Sequence, residues 1–301
     1  PGGKRRLLGA IFKHIPRPAQ APVLADAFLG GGAVSLYAKA RGYRVACNDL
    51  SERSVVVGRA LIENDRVQLT AADALRLFDP ALADQSDGFA TRHLCPDVLP
   101  EVHGRFLDHA RAALGGFSGT KRDLVRLLLV KYLFRQRPLG NFGAKSIVHQ
   151  VAAGDFDAVN PAFLRGTFID RVHAHPRTHV EALRTAINRG VFRGAGRCEA
   201  HQGDAVDFLR GVQADVAYLD PPYADTTPYE TALRPVDELL AGHPLHPEPS
   251  AFSGAGWRTA LEALLEAAAR APAVVLSFGN VACDLDELLA LMRRFKRHVH
   301  G

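Results

Sequence analysis

The sequence predicts a doubly wound, mostly parallel α/β sheet interrupted by a mainly helical insertion. Three observations predict it. Val23 to Phe28 reads as a short buried strand running into a glycine cluster, Gly30-Gly31-Gly32, followed by a helix-forming run and a second strand. Asp215 to Leu219 is a compact apolar strand that leads straight into Asp220-Pro221-Pro222-Tyr223. Between the two, from about Asp79 to Pro176, strand signals fade and apolar-periodic runs such as Leu124 to Phe134 predict helices.

The remaining elements follow in order. Ala33 to Ala40 has helix-forming composition and Gly42 ends it. Tyr43 to Cys47 is the second strand, closed by Asn48-Asp49, and Arg53 to Glu63 reads as a helix. Strand-helix alternation resumes near Thr178: Val180 to Ile187 is helical, and Cys198 to His201 is a strand entering Gly203-Asp204. A Pro-rich loop, His243 to Ser250, precedes a strongly helical segment, Gly256 to Arg270, and a buried strand, Ala273 to Phe278. Asp284 caps a last helix ending near Arg293 to Arg297. The pattern predicts a discontinuous core domain, residues 1–78 and 177–301, with residues 79–176 as the insertion.

Composition narrows the class. The chain has 301 residues, 47% of them hydrophobic, enough for a sizeable core. No run of about 18 apolar residues exists, so no membrane partner is expected. The start, Pro1-Gly2-Gly3-Lys4, has no apolar signal region. It also has no initiator Met, since Met292 is the only methionine, so the chain is expected to begin inside a longer gene product. Cys47, Cys95, Cys198 and Cys283 form no C-x-x-C pair, which argues against zinc or a disulfide framework and for a reducing cytoplasm. His173, His175 and His179 lack a Cys or carboxylate to complete a ligand set, and read as solvated residues of a Pro-containing loop. The net charge of +5 is unevenly spread: residues 101–200 hold 16 Lys/Arg against 8 Asp/Glu. A basic middle segment on a near-neutral body fits either a polyanion-binding module or an ordinary solvated helical surface.

Two clusters carry chemistry. In Asp26-Ala27-Phe28-Leu29-Gly30-Gly31-Gly32-Ala33, Gly30 and Gly32 let the backbone pass close to a nucleotide or nucleoside. Asp49, at the end of the second strand, is placed to accept hydrogen bonds from ribose hydroxyls. The second cluster, Asp220 to Tyr223, stands at the carboxyl end of a strand, where open α/β sheets build their sites. Pro221 and Pro222 fix the backbone and remove two N–H donors, leaving carbonyl oxygens free. Asp220 and the Pro221 carbonyl then accept from one exocyclic amino group, and Tyr223 offers a flat face for a base.

With these motifs in this order, the chain resembles the Dam-type, α-group DNA adenine-N6 methyltransferases over nearly its whole length. The resemblance rests on Gly2-Gly3-Lys4, Phe28-Leu29-Gly30-Gly31-Gly32, the basic insertion and Asp220 to Tyr223, and extends to Ala224–Glu230 and Val274–Asn280. Ala27 departs from it, standing where the family commonly has proline. The resemblance implies a Rossmann-like methyltransferase sheet with an inserted target-recognition domain, and S-adenosylmethionine as methyl donor without a metal. It assigns Gly3, Lys4, Phe28, Gly30, Gly32, Asp49, Asp204 and Asp220 to the cofactor. Among these, Lys4 would pair with the methionine carboxylate and Asp204 would accept from the cofactor's adenine amino group. Asp220, Pro221, Pro222 and Tyr223 would receive a target adenine flipped from double-stranded DNA. Their other readings are a mobile terminal lysine (Lys4), a strand-end turn (Asp49), a helix cap (Asp204) and a Pro-Pro turn. A bacterial or phage-encoded cytoplasmic enzyme is the implied setting, either paired with a restriction endonuclease or acting without one.

For DNA, the candidates in the insertion are Lys121, Arg122, Arg126, Lys131, Arg135, Arg137, Lys145 and Asn141, with Gln136 as a further base reader. The alternatives are transfer to cytosine N4, transfer to RNA adenine, or a non-catalytic DNA-binding protein that keeps the fold. Methylation at cytosine C5 needs a Pro-Cys pair, and only the reversed Cys95-Pro96 occurs.

Overall fold

A computed structural model describes residues 4–136, 172–223, 229–248, 250–279 and 283–301. The chain divides into two compact units. One comprises the described residues of 2–65, 193–231 and 247–301, and the other those of 66–192 and 232–246.

The first unit is built on five parallel strands: β1 (Val23–Asp26), β2 (Arg44–Asp49), β3 (Glu199–Gln202), β4 (Val216–Leu219) and β5 (Ala273–Leu276). Their order is β3-β2-β1-β4-β5. The winding therefore reverses between β1 and β4, and a crevice opens at their carboxyl ends. Leu24, Ala25, Val216, Ala217 and Leu219 are buried because a parallel sheet carries helices on its faces. Leu261, Leu264 and Leu265 of the helix Trp257–Ala268, with Phe208 and Leu209 of the helix Ala205–Gly211, pack into the same core as Ala25 and Leu219.

The first β-α-β unit follows the sequence reading, with a helix at Ala33–Ala40. The expected helix over Arg53 to Glu63 instead starts as α-helix at Glu52–Val57 and continues as a π-helical turn, Gly58–Ile62. Crowding accompanies this widening: a Cβ at Gly58 would lie 2.7 Å from the Ala200 Cβ and 3.1 Å from a Leu29 methyl. Gly58→Ala is thus expected to cost about 1–3 kcal/mol through overpacking, read as a lowered urea midpoint. An unchanged midpoint would show that the turn absorbs a methyl.

The second unit is helical in its described part. Its central helix, Gly119–Gln136, buries Leu124, Leu127, Leu128, Leu129, Tyr132 and Leu133, so apolar residues cover most of its circumference. Around it lie the helices Ala71–Arg76, Phe89–His93, Glu101–Ala113, Pro176–Arg189 and Arg234–Ala241. Residues 66–78, 177–192 and 232–246 thus pack with this unit. His179 is not in a solvated loop. It is buried on the helix Pro176–Arg189 against Tyr132 and His103, while His175 caps that helix. The apolar spacing Val180, Leu183, Ile187 extends one turn back to His179, which turns that residue inward. No described helix is long and apolar enough to cross a membrane.

Candidate active site

Strand register assembles the site. Asp26 pairs with Tyr218, and the Ala27 amide donates to the Tyr218 carbonyl at 3.1 Å, so the glycine loop starts beside the end of β4. On the other side Leu219 pairs with Leu276, and the Ser277 amide donates to the Leu219 carbonyl at 2.8 Å. Asp220 therefore emerges between the loop after β1 and the segment after β5.

The loop is held by two carboxylates. Asp26, 1% exposed, accepts from the Ser35 hydroxyl at 2.7 Å and from the Phe28 amide at 3.3 Å. Burial, with Asp220 and Asp49 adding like charge, pushes the Asp26 carboxyl up to about 7 against the hydrogen bonds from Ser35 and Phe28. Asp49 accepts from the Gly30 amide through one oxygen (2.8 Å) and from the Ser51 amide (2.9 Å) and hydroxyl (2.7 Å) through the other. The Asn48 amide group donates to the Ala27 and Gly203 carbonyls, tying the loop to the turn after β3. Gly30 and Gly32 both have positive φ, 50° and 75°. They differ otherwise. A Cβ at Gly30 meets nothing closer than 4.0 Å, whereas one at Gly32 would sit 2.6 Å from a Val57 methyl. Gly32 is a packing requirement of the loop, and the exposed Gly30-Gly31 backbone is its accessible part.

The second half of the site is a polar knot. The Lys4 ammonium donates to the Tyr223 hydroxyl (2.5 Å) and the Ser277 hydroxyl (2.9 Å), and lies 3.0 Å from Asp220 Oδ1. Tyr223 donates to the same Asp220 oxygen at 3.0 Å. Desolvation raises the Asp220 carboxyl above its ordinary value, against Lys4 and Tyr223, which pull it down. The Tyr223 ring meets the edge of Phe278 at 5.9 Å and lies against Gly279, where a Cβ would come within 3.3 Å of two ring atoms. Phe278 in turn packs against Trp257, and Phe28 meets Phe252 edge-on. The sequence reading gave Trp257 and Phe252 no part in the site, and it held Ser277 only within the run Val274–Asn280, without a role. Ser277 was within reach of it, since the strand Ala273 to Phe278 ends beside Asp220 in any parallel pairing of the two strands.

Other expected residues are placed as follows. Asp204 is exposed and caps the helix Ala205–Gly211 by accepting from the Val206 and Asp207 amides through one oxygen. In the second unit, Lys121 pairs with Asp73 at 2.6 Å, Arg126 lies 4.0 Å from Asp123, and Arg122 is exposed. Lys131 and Arg135 are partly buried on the same helix. Gln136 is 1% exposed, with neither side-chain polar atom hydrogen-bonded among the described residues, a placement opposite to that expected of a base reader. Its position one turn beyond Tyr132 puts it on the buried face. Gly3, Arg137, Asn141, Lys145 and residues 224–228 and 280–282 lie outside the described residues. All four cysteines are free thiols. Among the described residues no group of three or more His, Cys, Asp or Glu side chains is arranged to hold a metal.

Comparison with known proteins bears on the same residues. Residues 1–129 match the family model for D12 class N6 adenine-specific DNA methyltransferases, a span that includes Lys4, the glycine loop and Asp49. Type II methyltransferase M2.HphI of Haemophilus parahaemolyticus is 27% identical over 303 aligned residues, 99% of this chain and 88% of that protein. Type II methyltransferase M.NlaIII of Neisseria lactamica is 23% identical over 67% of this chain and 55% of its own length. The matched family model describes methylation of adenine N6 in DNA, and a methyltransferase family of this kind implies S-adenosylmethionine as methyl donor. A parallel sheet with its switch point at the glycine loop and an Asp-Pro-Pro-Tyr edge beside it thus stand in a chain whose first 129 residues are similar to the D12 class of N6 adenine-specific DNA methyltransferases, and which over almost its whole length is similar to a type II methyltransferase.

Proposed function

We infer that the chain is a site-specific modification enzyme in which Asp220 to Tyr223 take a flipped adenine from duplex DNA. In this reading the loop Phe28 to Gly32 and Asp49 hold the methyl donor. The observation that carries it is the division of contacts at Asp220: among the described residues Lys4 and Tyr223 both engage Oδ1 and none is hydrogen-bonded to Oδ2, which leaves Oδ2 to an incoming amino group. With the Pro221 carbonyl as a second acceptor, the two N–H bonds of that group are oriented and its lone pair is aimed. The accessible Gly30-Gly31 backbone and the fixed Asp49 carboxylate fit a nucleoside with free ribose hydroxyls. S-adenosylmethionine, when bound, supplies a methyl group activated by a sulfonium sulfur. Asp220 and the Pro221 carbonyl polarise the amine, Tyr223 stacks the base, and acceleration comes from positioning. For Lys4 to take the methionine carboxylate, it would exchange one of its three present partners. Asp204 keeps one carboxylate oxygen beyond its capping bonds for the cofactor's adenine amino group.

The helical unit is the proposed DNA reader, with residues 79–176 at its centre and Gly3, Arg137 and Asn141 as further members of the two surfaces. Lys131 and Arg135 complete its basic set with Lys121 and Arg122. The two relatives carry the name type II methyltransferase, which supports a cytoplasmic partnership with a restriction endonuclease. The test is incubation of the full chain with labelled S-adenosylmethionine and duplex DNA, followed by single-molecule sequencing to map N6-methyladenine. Label in duplex adenine at one short sequence is the expected result. Modification without sequence preference, or only of single strands, would overturn the site-specific duplex reading. Arg122→Ala should also lower the slope of log affinity against log salt by about one. Lys121→Ala should change that slope less, because its ammonium already faces Asp73.

A further inference from the structure

Ser277 lies at the end of β5, in a segment whose role in this chemistry is otherwise limited to packing. Its amide is fixed by the Leu219 carbonyl, one residue before Asp220. Its hydroxyl accepts from Lys4 at 2.9 Å. Lys4 has three N–H donors, and the three acceptors around it are the Ser277 hydroxyl, the Tyr223 hydroxyl and Asp220 Oδ1. The ammonium is therefore held as a tripod, with one foot on β5 and two on the segment after β4. Without the β5 foot, the lysine would be free to swing along the carboxylate and reach Oδ2.

We propose that Ser277 is a positioning residue that pins Lys4 to Asp220 Oδ1 and thereby reserves Oδ2 for the target amino group. The proposal rests on the reading of Asp220 as the amino-group acceptor. It makes Ser277 act through Lys4, with no contact to substrate. A lysine shared between both oxygens would compete with the adenine amino group for the same lone pairs, because both are donors. The other titratable groups near Asp220 are Tyr223 beyond the prolines, Tyr218 on β4 and Asp26 on β1, and among the described residues Lys4 is the cation that faces it.

The experiment compares Ser277→Ala and Ser277→Thr with the unmodified enzyme in single-turnover methylation of a duplex carrying the mapped site, across pH 5 to 9. Ser277→Ala is expected to lower the transfer rate about tenfold or more. KM for DNA should stay unchanged, and the acidic limb of the rate profile should move to higher pH as Lys4 loosens from Asp220. Ser277→Thr keeps the hydroxyl and should restore both rate and limb. An unshifted limb with an undiminished rate in Ser277→Ala would overturn the proposal, and so would a Thr variant as slow as the Ala variant. A lower melting temperature alone scales the active fraction and leaves the limb in place. Asp220→Ala run in parallel separates the two claims. If that variant still transfers methyl, the acceptor reading itself fails; if it is inactive and Ser277→Ala is normal, only the role of Ser277 does.

Discussion

Asp220→Ala is expected to lower methyl transfer to duplex DNA by about 10²–10³-fold, the usual loss when one preorganised polar partner of the reacting group is removed. The fold should survive. Asp220 is a largely buried carboxylate whose desolvation works against its ion pair with Lys4, so losing that buried charge offsets part of the cost of leaving Lys4 without a carboxylate. Lys4 keeps Tyr223 and Ser277 as acceptors. Melting temperature and DNA affinity should therefore stay near those of the unmodified protein while the single-turnover rate collapses. Asp220→Asn sharpens the claim. An amide has one acceptor oxygen, and its NH₂ group faces a donor whichever way it turns: Lys4 and Tyr223 on one side, the adenine amino group on the other. The carboxamide is thus expected to recover little of the lost rate. A transfer rate within tenfold of the unmodified enzyme for either variant would remove Asp220 from the chemistry.

The sheet was legible because each strand carries its own signal. Val23–Asp26 and Val216–Leu219 are largely apolar runs, and within a few residues glycines (Gly30 to Gly32) and prolines (Pro221, Pro222) end the extended chain. The roles of Gly30 and Asp49 as loop and strand-end residues followed from position alone. What stayed hidden depends on which side chains meet. Gly30 and Gly32 look alike in sequence, yet Val57 makes Gly32 a packing residue while Gly30 faces open space. Lys4 gave no sign that its partners are 219 and 273 residues away along the chain. Gln136 read as a base reader because it lies between two arginines, and His179 as a solvated loop residue because a proline stands nearby, whereas helical phase places both on buried faces. Composition reports the average of a segment, and phase decides the individual residue.

Two buried titratable groups are expected to give this protein opposing pH dependences of stability, one in each unit. His103 is fully buried, with Nδ1 facing the Tyr132 hydroxyl at 2.5 Å and Nε2 facing the Val172 carbonyl at 2.8 Å. The carbonyl can only accept, so Nε2 carries the proton and Nδ1 accepts from Tyr132, a pairing that fits the neutral ring. Burial lowers its pKa from the ordinary 6.5 to about 4. Between those values the unfolded chain binds a proton that the folded chain does not. Stability from this group is full above pH 6.5 and falls by roughly 3 kcal/mol on the way to pH 4. Asp26 works the other way. Its folded pKa of about 7 exceeds the ordinary 3.8, so the folded chain binds the extra proton across that window. Its ionisation destabilises the fold above pH 7, and lowering the pH relieves roughly 4 kcal/mol. Between pH 6.5 and 4 the two slopes largely cancel in the intact protein. His103→Asn should therefore uncover a protein that grows more stable as pH falls from 7 to 5. Asp26→Asn should uncover one that loses stability over pH 6.5 to 4. Urea unfolding of both variants at pH 8, 7, 6 and 5 measures this directly. Parallel curves for the two variants would show that neither group titrates in the folded protein as its burial demands.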